Sequence, residues 1–177
     1  MTKIKLARTL NALLALVLMG ILLSAYYQQY FKHEMPCPLC ILQRLGMIGV
    51  SVGALMNLRF GIQTQHYAVS LFSAFVGGAV SVRQIFLHIC PQFPVFGIPV
   101  FGLNLYTWAF IAFCCSVLAI IGLLFLYWPK DDSRLPLNWL EKLAFVVVIL
   151  VTLANFITTF DECGLGFCKD VPWPQPK

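Results

Sequence analysis

Cys37 and Cys40 stand three positions apart in Cys37-Pro38-Leu39-Cys40, where an apolar run begins. A thiol pair at that spacing exchanges disulfides, binds soft metals or donates electrons, and the thiolate is the reactive form. Pro38 suits the first position of a helix, with Cys37 as its cap. The free N–H groups and positive dipole end at such a terminus favour a thiolate. Arg44 lies four residues beyond Cys40, on the same helical face. Its guanidinium cannot lose its proton, so it puts fixed positive charge near the Cys40 sulfur. A disulfide closing so small a loop adds little stability through chain entropy, so the pair reads as chemistry.

A second pair, Cys163 and Cys168, brackets Gly164-Leu165-Gly166-Phe167. The two glycines leave that loop pliable. It reads either as a structural disulfide pinning the tail or as a second redox pair exchanging with the first. Cys90 is a bystander or an alternative partner. Cys114 and Cys115 are adjacent and point to different helix faces. Thiols in apolar surroundings are usually inert, so packing is expected for both. Arg83 and His88 fall near the end of an apolar run, and either could line the same site or supply a proton; His88 reads also as a satisfied interfacial histidine. Gln43 and Gln84 are polar groups at the same level. His33 and His66 fall in expected loops and carry little signal.

The chain that must position these groups has 177 residues, 60% hydrophobic and 11% charged, with a mean hydropathy of +0.84. No soluble domain of that length could solvate such a surface. The net charge of +5 comes from basic residues scattered at run ends, which argues against nucleic acid. A membrane helix needs about 20 apolar residues, and runs of that kind occur at 10–30, 41–58, 67–89, 103–127 and 143–160. The first is too long for a signal peptide and lacks a small-x-small cleavage site, so an uncleaved span is expected. The expected fold is all-α: one polytopic membrane domain over residues 1–177, with a tail from 161 to 177.

Lys3, Lys5, Arg8, Arg59, Lys130, Arg134 and Lys142 fall on the N-terminal side of the membrane; Lys32, Lys169 and Lys177 fall on the other, with Arg44 and Arg83 near the ends of spans on that side. The excess of basic charge puts the N-terminus in the cytoplasm. Tyr26, Tyr27, Tyr30, Tyr106, Trp108, Tyr127, Trp128 and Trp139 mark span ends, as interfacial belts do. With five spans, Cys37, Cys40, Cys90, Cys163 and Cys168 all reach the outer side, which in a bacterium is oxidising. A thiol pair reoxidised at a bilayer surface needs a two-electron acceptor. No Gly-rich dinucleotide fingerprint and no Cys-x-x-Cys-His haem motif occurs. A membrane quinone therefore fits best, with Arg44 polarising a carbonyl.

Pro36-Cys37-Pro38-Leu39-Cys40-Ile41-Leu42-Gln43-Arg44 resembles the DsbB family of disulfide-bond formation proteins. Gly78 to Gln84 also looks like the family's third span, and the resemblance covers roughly residues 10 to 128. It implies a four-helix bundle of the bacterial inner membrane, here with a fifth transmembrane helix and a periplasmic C-terminus. It implies a partner, a periplasmic DsbA-like thioredoxin-fold oxidase, and an acceptor, ubiquinone or menaquinone. By resemblance Cys37 and Cys40 are the quinone-coupled pair, Cys40 meets the quinone, and Arg44 is the quinone-site arginine. The better-known members carry their second pair between spans three and four. Here that loop, 91–102, holds no cysteine beyond the adjacent Cys90. The shuttle role therefore goes to Cys163 and Cys168 on chemistry and topology alone.

Loop 91–104 is expected to form a short apolar lid. The rival class is a soft-metal transporter passing mercury or copper(I) between thiolates, which leaves Arg44 unexplained. A vitamin-K-epoxide-reductase-like protein shares the thiol–quinone chemistry, but usually carries its Cys-x-x-Cys late in the chain.

Overall fold

Each apolar run folds as an α-helix, because in hydrocarbon a backbone can satisfy its N–H and C=O groups only within itself. A computed structural model describes residues 2–31, 37–89, 99–126 and 136–164. The helices are α1 (Thr2–Phe31), α2 (Pro38–Phe60), α3 (Thr64–Ile89), α4 (Leu105–Phe125) and α5 (Trp139–Cys163). All five are long and apolar enough to cross a membrane. The protein is an all-α, multi-pass membrane protein. Large apolar side chains such as Phe72, Phe75, Leu150 and Phe156 are exposed, as lipid-facing residues are.

Helix ends differ from the hydropathy runs where polar residues extend a helix past the hydrocarbon. α1 begins at Thr2 instead of residue 10, and α5 begins at Trp139 instead of 143. The start of α5 is fixed locally by a capping box: the Asn138 side chain accepts from the backbone at Glu141, and Glu141 accepts from the Asn138 N–H at 2.9 Å.

Side-chain contacts define the packing. Arg8 near the start of α1 meets Glu141 near the start of α5, and Tyr26 late in α1 meets Asn155 late in α5. The two helices therefore run parallel. Early α2 meets late α3 through Gln43 and Gln84, so those two run antiparallel. Thus the start of α2 and the ends of α1, α3 and α5 gather at one end of the bundle.

α2 and α3 pack closely along a row of small residues. A Cβ on Gly49 would lie 2.8 Å from the Ser73 Cβ, and one on Gly53 would lie 2.7 Å from the His66 carbonyl oxygen. Ser70 Oγ donates across to the Val50 carbonyl at 3.0 Å. Phe113 from α4 covers Gly77 so closely that a Cβ there would overlap its ring.

The opposite end of the bundle holds buried polar groups that hydropathy does not reveal. Arg8 donates to Glu141 through Nε at 2.8 Å and Nη2 at 2.6 Å, both side chains being almost fully buried. Asn11 donates to the Tyr67 hydroxyl at 3.0 Å. His66 does not lie in a loop: it is buried in the first turn of α3, its Nδ1 3.2 Å from both Asn57 Oδ1 and the Gly61 carbonyl. Cys114 and Cys115 also depart from expectation, being exposed on α4 instead of packed. In a lipid-facing helix, apolar character does not imply a place in the core.

Candidate functional site

Cys37 caps α2 with an extended backbone (φ −77°, ψ 160°), and Pro38 fills the first helical turn where no N–H is needed. The Cys40 N–H donates to the Cys37 sulfur at 3.2 Å. Both cysteines are free thiols, their sulfurs 2.7 Å apart. The hydrogen bond to Cys40, together with burial, pushes the Cys37 thiol well above its usual range. Either sulfur can donate to the other across that contact. The helix-terminal N–H goes to Cys37 and not to Cys40.

The polar surroundings of both sulfurs come from α3. Gln84 is almost fully buried, and its Nε2 lies 3.3 Å from Cys37 Sγ and 3.5 Å from Cys40 Sγ. Gln43, one turn beyond Cys40 on α2, donates to Gln84 Oε1 at 2.8 Å and so fixes which way that amide points. A buried amide with both ends engaged is a preset donor to sulfur.

Arg44 keeps its charge within reach of the Cys40 sulfur, as its spacing implies, while its guanidinium is held by α1. Nη1 donates to Gln29 Oε1 at 2.8 Å, and Cζ stands 4.7 Å above the Tyr26 ring. Among the described residues it makes no hydrogen bond to either cysteine. The side chain is 7% exposed and has no carboxylate partner among those residues.

Cys40, Gln43, Arg44 and Gln84 open into a cleft of about 1080 Å³ between α1 and α4. Its walls are apolar for most of their length, from Leu10, Leu14 and Val17 to Leu105, Ala109 and Leu123. Gln28 and Tyr106 line it near the thiols, and Gln28 Oε1 is buried with no partner among the described residues. Val100 and Phe101 border it as well. They belong to a tight turn closed by Val100–Leu103 hydrogen bonds, with Phe101 (φ 51°) and Gly102 (φ 78°) both left-handed. Trp108 Nε1 holds that turn by donating to the Val100 carbonyl at 2.9 Å. Of the expected lid, only this turn at the cleft's edge falls among the described residues; segment 91–98 lies outside them.

The other sequence candidates distribute unevenly. His88 is half-buried; its Nδ1 meets its own helix at the Gln84 carbonyl, 2.7 Å away. Its ring stacks on Tyr106 at 5.0 Å, behind the cleft wall. Arg83 is exposed and does not line the cleft. Cys163 ends α5 at the thiol end of the bundle and is disulfide-bonded. Cys168 and Cys90 lie outside the described residues. No three His, Cys, Asp or Glu side chains converge among the described residues, so the soft-metal alternative gains no support. Tyr26 reads in the sequence only as one of several interfacial aromatics, and nothing there singles out Gln28, Gln29 or Asn155.

A family model described as disulfide bond formation protein DsbB matches residues 7–96, 90 of the 177 residues. The chain belongs to the DsbB family. It is similar to disulfide bond formation protein B of Burkholderia pseudomallei strain K96243, 38% identical over 90 residues, covering 49% of this chain and 53% of that protein. The protein of the same name from Burkholderia thailandensis is 31% identical over 147 residues, covering 64% of this chain and 86% of the relative. That from Cupriavidus metallidurans is 32% identical over 87 residues, covering 49% and 54%. The chain thus spans about half the length of several curated relatives that it matches. No solved structure gives a significant match. The matched segment holds α1, α2 and α3 with Cys37, Cys40, Arg44 and Gln84, whereas α4 and α5 follow it.

Proposed function

We propose that this DsbB-family protein is a thiol:quinone oxidoreductase of the bacterial inner membrane. It reoxidises a periplasmic DsbA-like thioredoxin-fold oxidase and delivers the electrons to ubiquinone or menaquinone. The observation that carries this reading is one apolar cleft, open between two helices, that holds both the Cys40 sulfur and an arginine with no carboxylate partner among the described residues.

The residues fit a quinone. The long apolar walls suit an isoprenoid tail, Arg44 suits a carbonyl oxygen, and the unpartnered Gln28 Oε1 suits the hydroxyl of the reduced form. When bound, a quinone takes up two electrons and two protons. The chain does the rest. The partner's dithiol attacks the Cys163 disulfide, expected to be with Cys168, and leaves as a disulfide while two thiols form on the tail. These reduce the Cys37–Cys40 disulfide in turn. Cys37 and Cys40 then lose two electrons and two protons and close again. Gln84 donates to the sulfurs, and Arg44 fixes the acceptor's head. Arg83 is exposed, so its part is at most to steer the partner; His88 supports Tyr106 behind the wall. The thiol end faces the periplasm and the N-terminus the cytoplasm, consistent with Lys3, Lys5 and Arg59 at the other end.

The purified protein, mixed with a reduced DsbA-like oxidase and a short-chain ubiquinone analogue, should bleach quinone absorbance. Cys40→Ser should abolish it. Cys163→Ser should stop turnover of the partner yet leave dithiothreitol-driven quinone reduction intact. Full quinone reduction by Cys40→Ser would remove the thiol pair from the reaction.

A further inference from the structure

Arg8 and Arg44 are the two buried arginines among the described residues, and they are held in opposite ways. Arg8 is neutralised by a two-point ion pair with Glu141. Among the described residues, Arg44 is held by neutral groups, the Gln29 amide and the Tyr26 ring. A long basic side chain near a membrane surface ordinarily extends its charge to water. Arg44 stays 7% exposed, so something fixes it inward. An aromatic face can do so without cancelling the charge, because the attraction is to the ring quadrupole.

The ring is itself fixed from a third helix. The Tyr26 hydroxyl donates to Asn155 Oδ1 at 3.0 Å, with Tyr26 8% and Asn155 7% exposed. Asn155 stands on α5, which lies outside the segment that the family model matches. Thr158 Oγ1 donates to the Asn155 carbonyl at 3.1 Å, in the same stretch of helix. A chain of contacts thus runs from α5 through Asn155 and Tyr26 to Arg44, and ends at the cleft.

We infer that Tyr26 and Asn155 are positioning residues for Arg44: α5 sets the quinone affinity of the cleft by holding the ring on which the guanidinium rests. The inference rests on the reading of Arg44 as a quinone-site residue. It gives the fifth helix a task other than carrying the tail cysteine. Neither residue touches the sulfurs, so the effect is expected on the acceptor side, through Arg44.

The test is steady-state turnover of the full-length protein in detergent, with dithiothreitol as reductant and a short-chain ubiquinone analogue varied. Tyr26→Leu, which removes the ring face, should raise the quinone KM about tenfold, the scale of a desolvated cation–π contact. Tyr26→Phe and Asn155→Leu should each raise it about threefold, and their combination no further, because both remove the same hydrogen bond. The KM for dithiothreitol should not change. Arg44→Met serves as the reference. If it raises the quinone KM while Tyr26→Leu and Asn155→Leu do not, the positioning role is wrong and the arginine site stands. If Arg44→Met leaves the KM unchanged, both fall. A lowered melting temperature with both KM values unchanged would show the contacts to be structural and overturn the inference.

Discussion

Gln84 on α3 places its side-chain N–H group 3.5 Å from the Cys40 sulfur, across 44 positions of sequence. The same group is 3.3 Å from Cys37, and Gln43 keeps it from turning over. A donor to charged sulfur contributes about 1.5–3 kcal/mol. Gln84→Leu should therefore slow dithiothreitol-driven quinone reduction roughly 10- to 100-fold. Gln84→Glu should be worse, since a carboxylate would oppose the same sulfurs. Iodoacetamide labelling of Cys40 at fixed pH should slow in parallel. Wild-type labelling rates in both variants would take Gln84 out of the site.

What the sequence made legible here was local. Cys37 as cap, Pro38 in the first turn and the placement of the pair at a helix start all follow from four consecutive residues. The spacing of Cys40 and Arg44 correctly put both on one cleft. It could not say which groups hold a four-bond side chain, and the hydrogen bond and ring contact of Arg44 go to Gln29 and Tyr26 on α1. Gln84 was one polar residue among several at its depth, because pairing between helices leaves no mark on hydropathy. The same holds for Glu141, whose charge suggests a solvated loop end although it is buried against Arg8. Cys114 is exposed because the rule that apolar means buried reverses in lipid, and Cys115 because it faces the cleft.

Cys115 offers a direct probe of the cleft. It lines the cavity, whereas the adjacent Cys114 is exposed outside it. If a quinone occupies this cleft, a saturating short-chain analogue should shield Cys115 from a membrane-permeant maleimide. Cys114 should label equally with and without it. Mass spectrometry of the two positions reads the difference. Equal labelling of Cys115 in both conditions would place the quinone elsewhere.

The Arg8–Glu141 pair ties α5 to α1 at the end of the bundle away from the thiols. Breaking a buried ion pair from one side leaves an uncompensated charge and costs about 3–5 kcal/mol. Glu141→Gln also weakens the capping contact with the Asn138 N–H. Its melting temperature in detergent should fall sharply. The double variant Arg8→Met with Glu141→Leu should recover most of the loss, since apolar replacement of both partners is often near neutral. A double variant no more stable than the single would mean that cap loss, not the stranded charge, dominates.

Packing is linked to the thiols through one glycine. A Cβ on Gly77 would overlap the Phe113 ring, and one on Gly46 would lie 3.0 Å from the Gly77 Cα. α3 is therefore held between α2 and α4 with no room for a methyl group. Gln84 lies seven residues beyond Gly77, two turns on and on the same face. Gly77→Ala must push α3 or Phe113 aside. Overpacking of that kind costs about 1–3 kcal/mol, and a shift of α3 carries the Gln84 amide away from Cys40. Turnover should then fall more than stability alone explains, with slower Cys40 alkylation as its signature. Phe113→Leu makes room on the α4 side. Adding it to Gly77→Ala should restore both melting temperature and alkylation rate. Recovery of stability without recovery of the sulfur's reactivity would show that the Gln84–Cys40 contact does not depend on how α3 is seated.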